Sequence, residues 1–356
     1  MSSDYTPETG SPVLVTGGNG YIASWLVKKL LDRGFDVHAT VRNPQDNHKV
    51  GHLLKMAESA KGKLTLFKAD LLDPGSFDEA MAGCKLVFHT ASPFISRHIK
   101  DPKSQLIDPA KLGTENVLQA ANRTESVERV VLTSSVAAIY GDARDMMDQG
   151  KSCFTEQDWN TTSTETHQPY CYSKLVAEKL AWEINQQQDR WKLVVINPGL
   201  VFGPALSNST QSESISVLKD FGSGIMLTGA PKLEFGVVDV RDVAEAHVLA
   251  GIKAEASGRH ILVSTSKTYL QLAKILRSKF GSKYPFPRNQ LPKFMVLLSA
   301  PFLGLDKGFV RNNMGYSLAF DNSYSKQDLG MEYTPIETTI TEHFEQQLND
   351  GIVKRR

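Results

Sequence analysis

The chain has 356 residues, enough for a large hydrophobic core, and its 40 basic and 39 acidic residues give a formal net charge of +1. This balance excludes a global electrostatic attraction to nucleic acid or to an anionic membrane, so we expect neither as the main partner. The three cysteines have no CxxC spacing and no even-numbered pattern, which indicates a reducing compartment without structural zinc.

The first eleven residues, "MSSDYTPETGS", are polar and acidic, unlike a secretory signal or a transit peptide. The most apolar window, "FMVLLSAPFLGL" at residues 294–305, is too short to span a bilayer, and we interpret it as a helix packed on the core. We therefore expect a cytoplasmic protein without a membrane segment or a metal site, and a monomer rather than a dimer.

Short apolar runs rich in β-branched residues recur through the first 200 residues, with helical stretches between them. They begin at Pro12, Asp36, Lys63, Lys85, Arg129 and Lys192. Such near-continuous apolar runs are typical of strands buried on both faces of a parallel sheet. The first amphipathic interval, "YIASWLVKKLLDRG", predicts a crossover helix that ends at Gly34. This alternation predicts an α/β fold with a doubly wound parallel sheet.

The segment "LVTGGNGYIASWL" follows the first predicted strand and opens the first helix, with Gly17, Gly20 and Ala23 in the spacing G-x-x-G-x-x-A. Gly17 permits a tight turn, and Gly20 lets backbone amides approach a pyrophosphate at the helix N-terminus. Ala23 lets the helix lie close to the sheet. A plain strand-to-helix turn would explain the glycines alone, but the first β-α turn of an alternating chain favours a dinucleotide site.

The end of the second strand distinguishes NAD from NADP, because an acidic residue there would bind ribose hydroxyls and repel a 2′-phosphate. This chain has no acid there and reads "ATVRNP", with Arg42 at the site and Lys49 further along. An arginine can pair with a phosphate through a planar, bidentate fork. An ordinary exposed arginine is the alternative, but we predict NADP(H) as the cofactor.

Two stretches supply candidate catalytic groups. "RVVLTSS" ends a strand in Ser134 and Ser135, whose hydroxyls would either face the cofactor crevice or cap the next turn. In "PYCYSKLVAEKLAW" a spacing of four places Tyr170 and Lys174 on one helix face, whereas Tyr172 points about 200° away from Tyr170.

These groups suit the reduction of a carbonyl, which needs a hydride donor, a proton donor for the developing alkoxide and a donor that polarises the oxygen. A tyrosine with its ordinary pKa near 10 is a poor acid at neutral pH, but a cation beside it favours the phenolate. We therefore predict Tyr170 as the general acid, Lys174 as the cation that lowers its pKa, and a serine hydroxyl as the donor to the carbonyl oxygen.

The motifs "TGGNGYIA", "FHTASP", "VVLTSS", Tyr170-x-x-x-Lys174 and "INPGLVFGP" occur in the order found in the extended short-chain dehydrogenases/reductases, which the chain resembles over nearly its whole length. It is similar to the branch of dihydroflavonol reductases, cinnamoyl-CoA reductases and fungal carbonyl or methylglyoxal reductases. The resemblance implies a Rossmann-type fold, NADP(H) and a small-molecule carbonyl substrate. It also implies Ser135, rather than Ser134, as the partner of Tyr170 and Lys174 in a catalytic triad.

The resemblance further implies contacts with the pyrophosphate, the adenine, the nicotinamide ribose and the carboxamide. In chain order these residues are Gly17, Gly18, Asn19, Gly20, Tyr21 and Ile22, then Asp70 and Leu71, then Thr90, Ala91, Tyr170 and Lys174, and finally Pro198 and Val201. Many extended relatives have an asparagine about where this chain has Asp108, a departure that questions a proton relay at this position. Phe94 and Tyr140 would be pocket walls or ordinary core residues.

The residues together predict an NADPH-dependent reductase of an aldehyde or ketone, with a dihydroflavonol-type substrate as one option. A hydroxysteroid or alcohol dehydrogenase of the same family is the nearest alternative. A nucleotide-sugar epimerase would keep NAD and an acidic residue where Arg42 stands. A non-catalytic NADP(H)-sensing protein would have lost Tyr170 or Lys174, and this chain keeps both.

The alternation of strands and helices ends after Gly199, and residues 203–235 are rich in Ser, Gly and Pro. "VVDVRDVAEAHVLAGI" predicts a turn that enters a helix, and "HILVS", from His260, predicts one further strand. We expect a polar tail at 1–11, an NADP-binding Rossmann core at 12–200 that also includes 235–265, and a substrate-binding lobe from 201–234 and 266–356. The lobe would cover the carboxyl ends of the strands, where open α/β sheets bind ligands.

Overall fold

The computed structural model describes residues 4–6, 10–93, 100–207, 213–300 and 306–354. The strands are β1 (Val13–Thr16), β2 (Val37–Val41), β3 (Leu64–Lys68), β4 (Leu86–His89), β5 (Arg129–Thr133), β6 (Lys192–Pro198), β7 (Leu200–Phe202), β8 (Ala230–Pro231), β9 (Glu234–Asp239), β10 (Gly258–Leu262), β11 (Thr265–Thr268) and β12 (Gln290–Leu291). Seven of them form the main sheet in the order β3-β2-β1-β4-β5-β6-β10, and all neighbouring pairs are parallel. The expected doubly wound parallel sheet is confirmed, and each of the seven apolar runs predicted as strands contributes one strand to it.

The helices are α1 (Tyr21–Asp32), α2 (Asn47–Ala57), α3 (Asp78–Met81), α4 (Asp108–Arg123), α5 (Arg144–Asp148), α6 (Pro169–Gln186), α7 (Glu213–Ser223), α8 (Val240–Ile252), α9 (Tyr269–Phe280), α10 (Lys293–Ser299), α11 (Lys307–Asn313), α12 (Ser323–Asp328) and α13 (Ile336–Asn349). A π-helical turn, Lys103–Ile107, leads into α4, and a 3₁₀ turn, Val136–Ala138, follows β5. The first helix ends as predicted, because Gly34 just beyond it has a φ of +91°, a conformation that glycine adopts without steric cost.

Helices cover both faces of the main sheet, and the alternation of side chains along β1 shows how. Val13 and Val15 belong to a core cluster that α1 and α8 complete, whereas Leu14 belongs to a second cluster with α4 and α6. All three side chains are buried. Complete burial of an aliphatic side chain stabilises the fold by about 1.5–3 kcal/mol, which is why strands enclosed in this way read as continuous apolar runs.

A smaller three-stranded sheet, in the order β11-β9-β7, lies beside the end of β6, and β8 pairs with β12. Strand β9 was not predicted, because Gly236 interrupts its apolar residues and the strand begins and ends with acidic residues, Glu234 and Asp239. The predicted helix after it is α8, whose first turn is capped by the Asp239 side chain. A third hydrophobic cluster joins α7, α9 and α13 around Phe221, Leu272 and Phe344. The division into a core and a lobe at the stated boundaries stays a prediction.

The interpretation of residues 294–305 as a core-packed helix holds in part for the described residues, since Val296 and Ala300 belong to a buried cluster with Val310 and Met314. Helix α10 begins at Lys293, but Phe294, Met295 and Leu298 are 64%, 47% and 73% exposed. Only Val296 within the helix is buried, because a short helix that is apolar on all sides can contact the protein along one face. Residues 301–305 lie outside the described residues. Over the described ranges, no helix combines the length and the hydropathy needed to cross a membrane.

Candidate active site

Most of the predicted site residues lie where the strands of the main sheet end. The residues that end or follow β1 to β6 are, in that order, Gly17, Arg42, Asp70, Thr90, Ser135 and Pro198. The strand order reverses between β1 and β4, and in open α/β sheets the crevice at such a reversal is the usual ligand site. The topology therefore brings the nucleotide-binding and catalytic candidates to one edge of the sheet.

The glycine turn after β1 is packed too closely for side chains. Gly17 has a φ of +64°, and a Cβ atom on it would lie 3.0 Å from the Cβ of Ala91. A Cβ on Gly18 would lie 2.8 Å from the Cβ of Ala39 on β2. The Gly17 and Gly18 amides donate hydrogen bonds to the Thr40 Oγ1 and carbonyl oxygens, at 3.2 and 2.9 Å. The turn is thus held against β2, and at its glycines only backbone atoms line the surface.

Gly20 is the N-cap residue of α1, and no side chain caps this helix end. The amides of the first helical turn therefore keep their hydrogen-bonding capacity for an anionic ligand. Ala23, one turn along, is buried, as the predicted close contact of helix and sheet requires. Asn19 lies half-buried between the two glycines.

Tyr21 and Ile22, the first residues of α1, use their side chains within the protein. The Tyr21 hydroxyl donates a hydrogen bond to the Gly203 carbonyl oxygen, just beyond β7, and its ring centroid lies 6.3 Å from that of His343. Ile22 packs against the core. Any contact of these two residues with a pyrophosphate would therefore use their backbone amides.

Thr16, which sequence reasoning missed, joins the glycine turn to the segment after β4. Its hydroxyl accepts hydrogen bonds from the Thr90 and Ala91 amides, at 3.1 and 3.0 Å, and lies 3.0 Å from His89 Nδ1. Burial, together with the charge of Lys174, lowers the pKa of His89 to about 3, so this imidazole is neutral. The threonine of "LVTGG" was the available signal, and its role depends on a neighbouring strand that is distant in sequence.

The two basic residues near β2 differ in their partners. Arg42 is exposed, and its side chain forms no hydrogen bond or ion pair with any residue that the structure describes. Lys49, in the first turn of α2, is exposed and lies 3.6 Å from the Asp46 carboxylate. A guanidinium without a carboxylate partner at a strand end suits a phosphate group.

Asp70 and Leu71 form a turn after β3. The Asp70 carboxylate accepts a hydrogen bond from the Leu72 amide at 2.9 Å, so part of its hydrogen-bonding capacity stabilises the turn itself. The Leu71 carbonyl oxygen accepts a hydrogen bond from the Asn116 side chain at 2.8 Å. The Leu71 side chain packs closely on α4, so that a Cβ on Gly113 would lie 3.1 Å from the Leu71 Cβ. The turn is thereby fixed against α4.

The adjacent serines after β5 point to different surroundings. Ser134 is buried and donates a hydrogen bond to the Glu178 carboxylate. Ser135 is half-buried; its Oγ accepts from the Ala137 amide at 3.1 Å and donates to the Pro198 carbonyl oxygen at 3.4 Å. The choice of Ser135 stays a prediction, and the engagement of Ser134 in the interior is consistent with it.

Tyr170 and Lys174 lie four residues apart on α6, so their predicted position on one helix is confirmed. Tyr170 is 37% exposed, and Lys174 Nζ donates a hydrogen bond to Ser92 Oγ at 3.0 Å. Ser92 directly follows Ala91, so the lysine connects α6 with the segment after β4. Val201, on β7, is half-buried and packs against the core.

Lys174 and Glu178 mark a buried polar cluster under the site. Burial lowers the pKa of Lys174 to about 8, and the nearby Glu178 charge opposes this shift. Glu178 is buried and accepts hydrogen bonds from Ser134, from Asn197 at 2.8 Å and from Arg259 at 2.5 Å. Sequence reasoning missed Glu178, although its spacing of four from Lys174 was visible.

Two further sequence candidates, Asp108 and Tyr140, have other contacts among the described residues. Asp108 begins α4 on the surface, and its carboxylate pairs with Lys103 Nζ at 2.9 Å. Tyr140 stacks on Phe154 with ring centroids 5.3 Å apart, which is core packing. Phe94 lies outside the described residues.

Comparisons with known proteins agree with this geometry. The family model described as "NAD dependent epimerase/dehydratase family" matches residues 13–264. A cinnamoyl-CoA reductase of Medicago truncatula is 41% identical, over 94% of this chain and 95% of its own. A dihydroflavonol 4-reductase of Gerbera hybrida is 34% identical, over 85% and 82%. The solved structure of Gre2 from Candida albicans in complex with NADPH is 31% identical, with a TM-score of 0.75 over 96% of this chain and 99% of that one.

The family match spans more than half of the chain, and the relatives are similar over most of their own length. The resemblance drawn from the ordered sequence motifs is therefore confirmed. The chain belongs to the NAD dependent epimerase/dehydratase family, that is, to the extended short-chain dehydrogenases/reductases.

Proposed function

We propose that this protein is an NADPH-dependent reductase that converts the carbonyl group of an aldehyde or ketone to an alcohol. The observation that carries the proposal is the position of Lys174, which shares α6 with Tyr170 and is hydrogen-bonded to Ser92 beside the glycine turn. The similarity to two plant reductases and to an NADPH-bound fungal structure supports it.

The residues at the sheet edge fit NADPH. Added Cβ atoms on Gly17 and Gly18 would meet Ala91 and Ala39, so the turn needs glycine to pack as it does, and the uncapped backbone amides at the start of α1 suit a pyrophosphate. Arg42 has a guanidinium without a partner among the described residues, as the binding of a 2′-phosphate requires. When bound, NADPH supplies the hydride for the reduction.

Each catalytic residue then has a distinct role at the carbonyl oxygen. The Tyr170 hydroxyl gives its proton to the oxygen as negative charge develops there, and the Lys174 ammonium stabilises the phenolate that remains. The Ser135 hydroxyl donates a hydrogen bond to the same oxygen. Lys174 would also hold the nicotinamide ribose hydroxyls. The partial burial of Lys174 strengthens its electrostatic effect, because the local dielectric constant is lower than that of water.

The proposal includes a small-molecule substrate, a cytoplasmic location and a monomeric state. Support for a reducing compartment comes from Cys84, Cys153 and Cys171, which are all free thiols. The sequence relatives have different substrates in their names, so the substrate class stays at the level of a carbonyl compound. A hydroxysteroid or alcohol dehydrogenase of the same family is the second candidate, because the same triad would run the reaction in reverse.

The test is NADPH oxidation by the purified protein against a panel of aldehydes, diketones, dihydroflavonols and acyl-CoA thioesters. A parallel series measures NADP⁺ reduction with secondary alcohols and sterols. We expect turnover of at least one carbonyl, and faster turnover with NADPH than with NADH. Tight NADPH binding without turnover in either series would contradict the proposal and favour a sensing protein.

A further inference from the structure

The backbone just before the candidate general acid has an unusual conformation. Among the described residues, Gln168 is the one residue other than glycine with a positive φ, +52°, and a ψ of +58°. It is the N-cap residue of α6, two positions before Tyr170. A residue with a β-carbon is unfavourable in this left-handed region, and it persists there only where its surroundings hold it.

The surroundings that hold Gln168 are side-chain hydrogen bonds. Its Nε2 donates to the Gly141 carbonyl oxygen at 2.5 Å and to Asp142 Oδ1 at 2.6 Å. Its Oε1 accepts from Cys171 Sγ at 3.5 Å. The side chain therefore ties the start of α6 to the loop that follows the 3₁₀ turn.

Asp142 is the centre of this network, which we call the Asp142 clamp. The Asp142 side chain is buried, and its Oδ1 accepts from Gln168 and from Asn313 Nδ2 at 2.6 Å. Its Oδ2 accepts from His167 Nε2 at 2.7 Å and from Asn312 Nδ2 at 3.0 Å. Four donors use the full accepting capacity of a carboxylate, and they come from both α11 and the start of α6.

The clamp acts on the helical turn that carries Tyr170. The Gln168 carbonyl oxygen accepts the Tyr172 amide at 3.1 Å, which closes the first turn of α6 around Tyr170. Lys174 lies in the next turn and is held separately through Ser92. A change at Gln168 would therefore move the phenol while leaving the ammonium in place.

We propose that Gln168 and Asp142 are positioning residues that set the Tyr170 hydroxyl relative to Lys174 and to the carbonyl oxygen. This inference rests on the proposed function. Neither residue needs to touch the substrate, and their effect on the reaction passes through the backbone of the first turn of α6. Displacement of a reacting group by about 1 Å can lower a rate by about 100-fold, so a small shift of the turn is enough.

The test compares Gln168→Ala, Gln168→Gly and Asp142→Asn with the control Gln187→Ala, at the exposed opposite end of the same helix. Steady-state kinetics give kcat and KM, and NADPH titration gives Kd. Hydrogen–deuterium exchange of the peptide that contains the Tyr172 amide reports on the first turn without any need for turnover.

We expect kcat to fall about tenfold or more in the three clamp variants, with the NADPH Kd unchanged within about twofold. The Tyr172 amide should exchange faster in them than in wild type, and the control should match wild type. Gln168→Gly removes the backbone strain together with the clamp, so wild-type kcat in this variant would overturn the proposal. A Tyr172 amide that exchanges at the wild-type rate in Gln168→Ala would also overturn the proposal. If Asp142→Asn does not fold, the Gln168 variants alone test the proposal.

A wild-type protein that reduces no carbonyl would contradict the proposed function instead. The exchange of the Tyr172 amide would still test the clamp in that case, because it does not depend on activity.

Discussion

Glu178 lies one turn of α6 beyond Lys174, and its buried carboxylate opposes the effect of burial on the lysine. Burial alone favours a neutral amine, whereas the account of catalysis requires an ammonium. With the opposing influence of Glu178, the pKa of Lys174 is lowered to about 8, so the ammonium is the main form at neutral pH. The carboxylate thus favours the charged form of Lys174, which the proposed role of Tyr170 requires.

The rate of reduction should fall as the pH rises through about 8, because Lys174 loses its proton over this range. Replacement of Glu178 by Gln removes the charge that raises the Lys174 pKa. The fall of kcat with rising pH should therefore begin at a lower pH in this variant. The pH profile of kcat is the measurement, and Glu183→Gln on the same helix is the control. If kcat falls over the same pH range in wild type and in Glu178→Gln, this role of the carboxylate is contradicted.

Replacement of Ser134 and of Ser135 by alanine should have different effects: one should mainly lower stability and the other should mainly lower kcat. Ser135→Ala should lower kcat about 100-fold or more, as the loss of an oxyanion donor does, with little change in melting temperature. Ser134→Ala breaks the buried hydrogen bond to the Glu178 carboxylate and should lower the free energy of unfolding by about 1.5–3 kcal/mol, with a smaller loss of kcat. The reverse pattern would mean that Ser134 is the donor.

Charge reversal at Arg42 should weaken NADPH far more than NADH. A hydrogen bond to a charged group contributes about 1.5–3 kcal/mol, so Arg42→Asp should raise the NADPH KM roughly 10- to 100-fold. Lys55→Asp, an equivalent reversal on the exposed side of α2, is the control and should change neither KM. Equal increases for both cofactors in Arg42→Asp would refute a contact with the 2′-phosphate.

Two glycines in helices should respond to alanine in opposite directions. A Cβ on Gly251 of α8 would lie 2.5 Å from Cζ of the fully buried Phe88, so Gly251→Ala should destabilise the fold by about 1–3 kcal/mol through overpacking. A Cβ on Gly51 of α2 would meet nothing within 4 Å, and Gly51→Ala should stabilise by about 0.5–1 kcal/mol. Urea denaturation measures both, and a stabilised Gly251→Ala would disprove the close packing.

The main sheet could be predicted from sequence because its strands are enclosed on both faces. In "KLVVINPG" the residues after Lys192 are buried as far as Pro198, so the apolar run and the strand coincide. Strand β9 could not be recognised in this way, since Gly236 faces Phe320 and Val263 closely and leaves a gap in the apolar pattern. The exposure of Phe294 likewise depends on which face of α10 the rest of the protein covers.

The shared helix of Tyr170 and Lys174 could be predicted because a spacing of four is a local property. The Asp142 clamp could not, because it depends on residues that are distant in sequence: Asp142 and Asn313 are 171 positions apart. Glutamine is also not a residue that signals a left-handed conformation, as glycine or asparagine would at the position of Gln168. Such contacts follow from tertiary packing alone.

Proton donation by Tyr170 is tested most directly by the single-turnover rate of carbonyl reduction in Tyr170→Phe saturated with NADPH, together with the NADPH Kd of the variant. A phenylalanine keeps the ring and removes the proton donor. We expect NADPH to bind as in wild type, while the rate of reduction falls by about 100-fold or more. A rate equal to that of wild type would contradict this role of Tyr170.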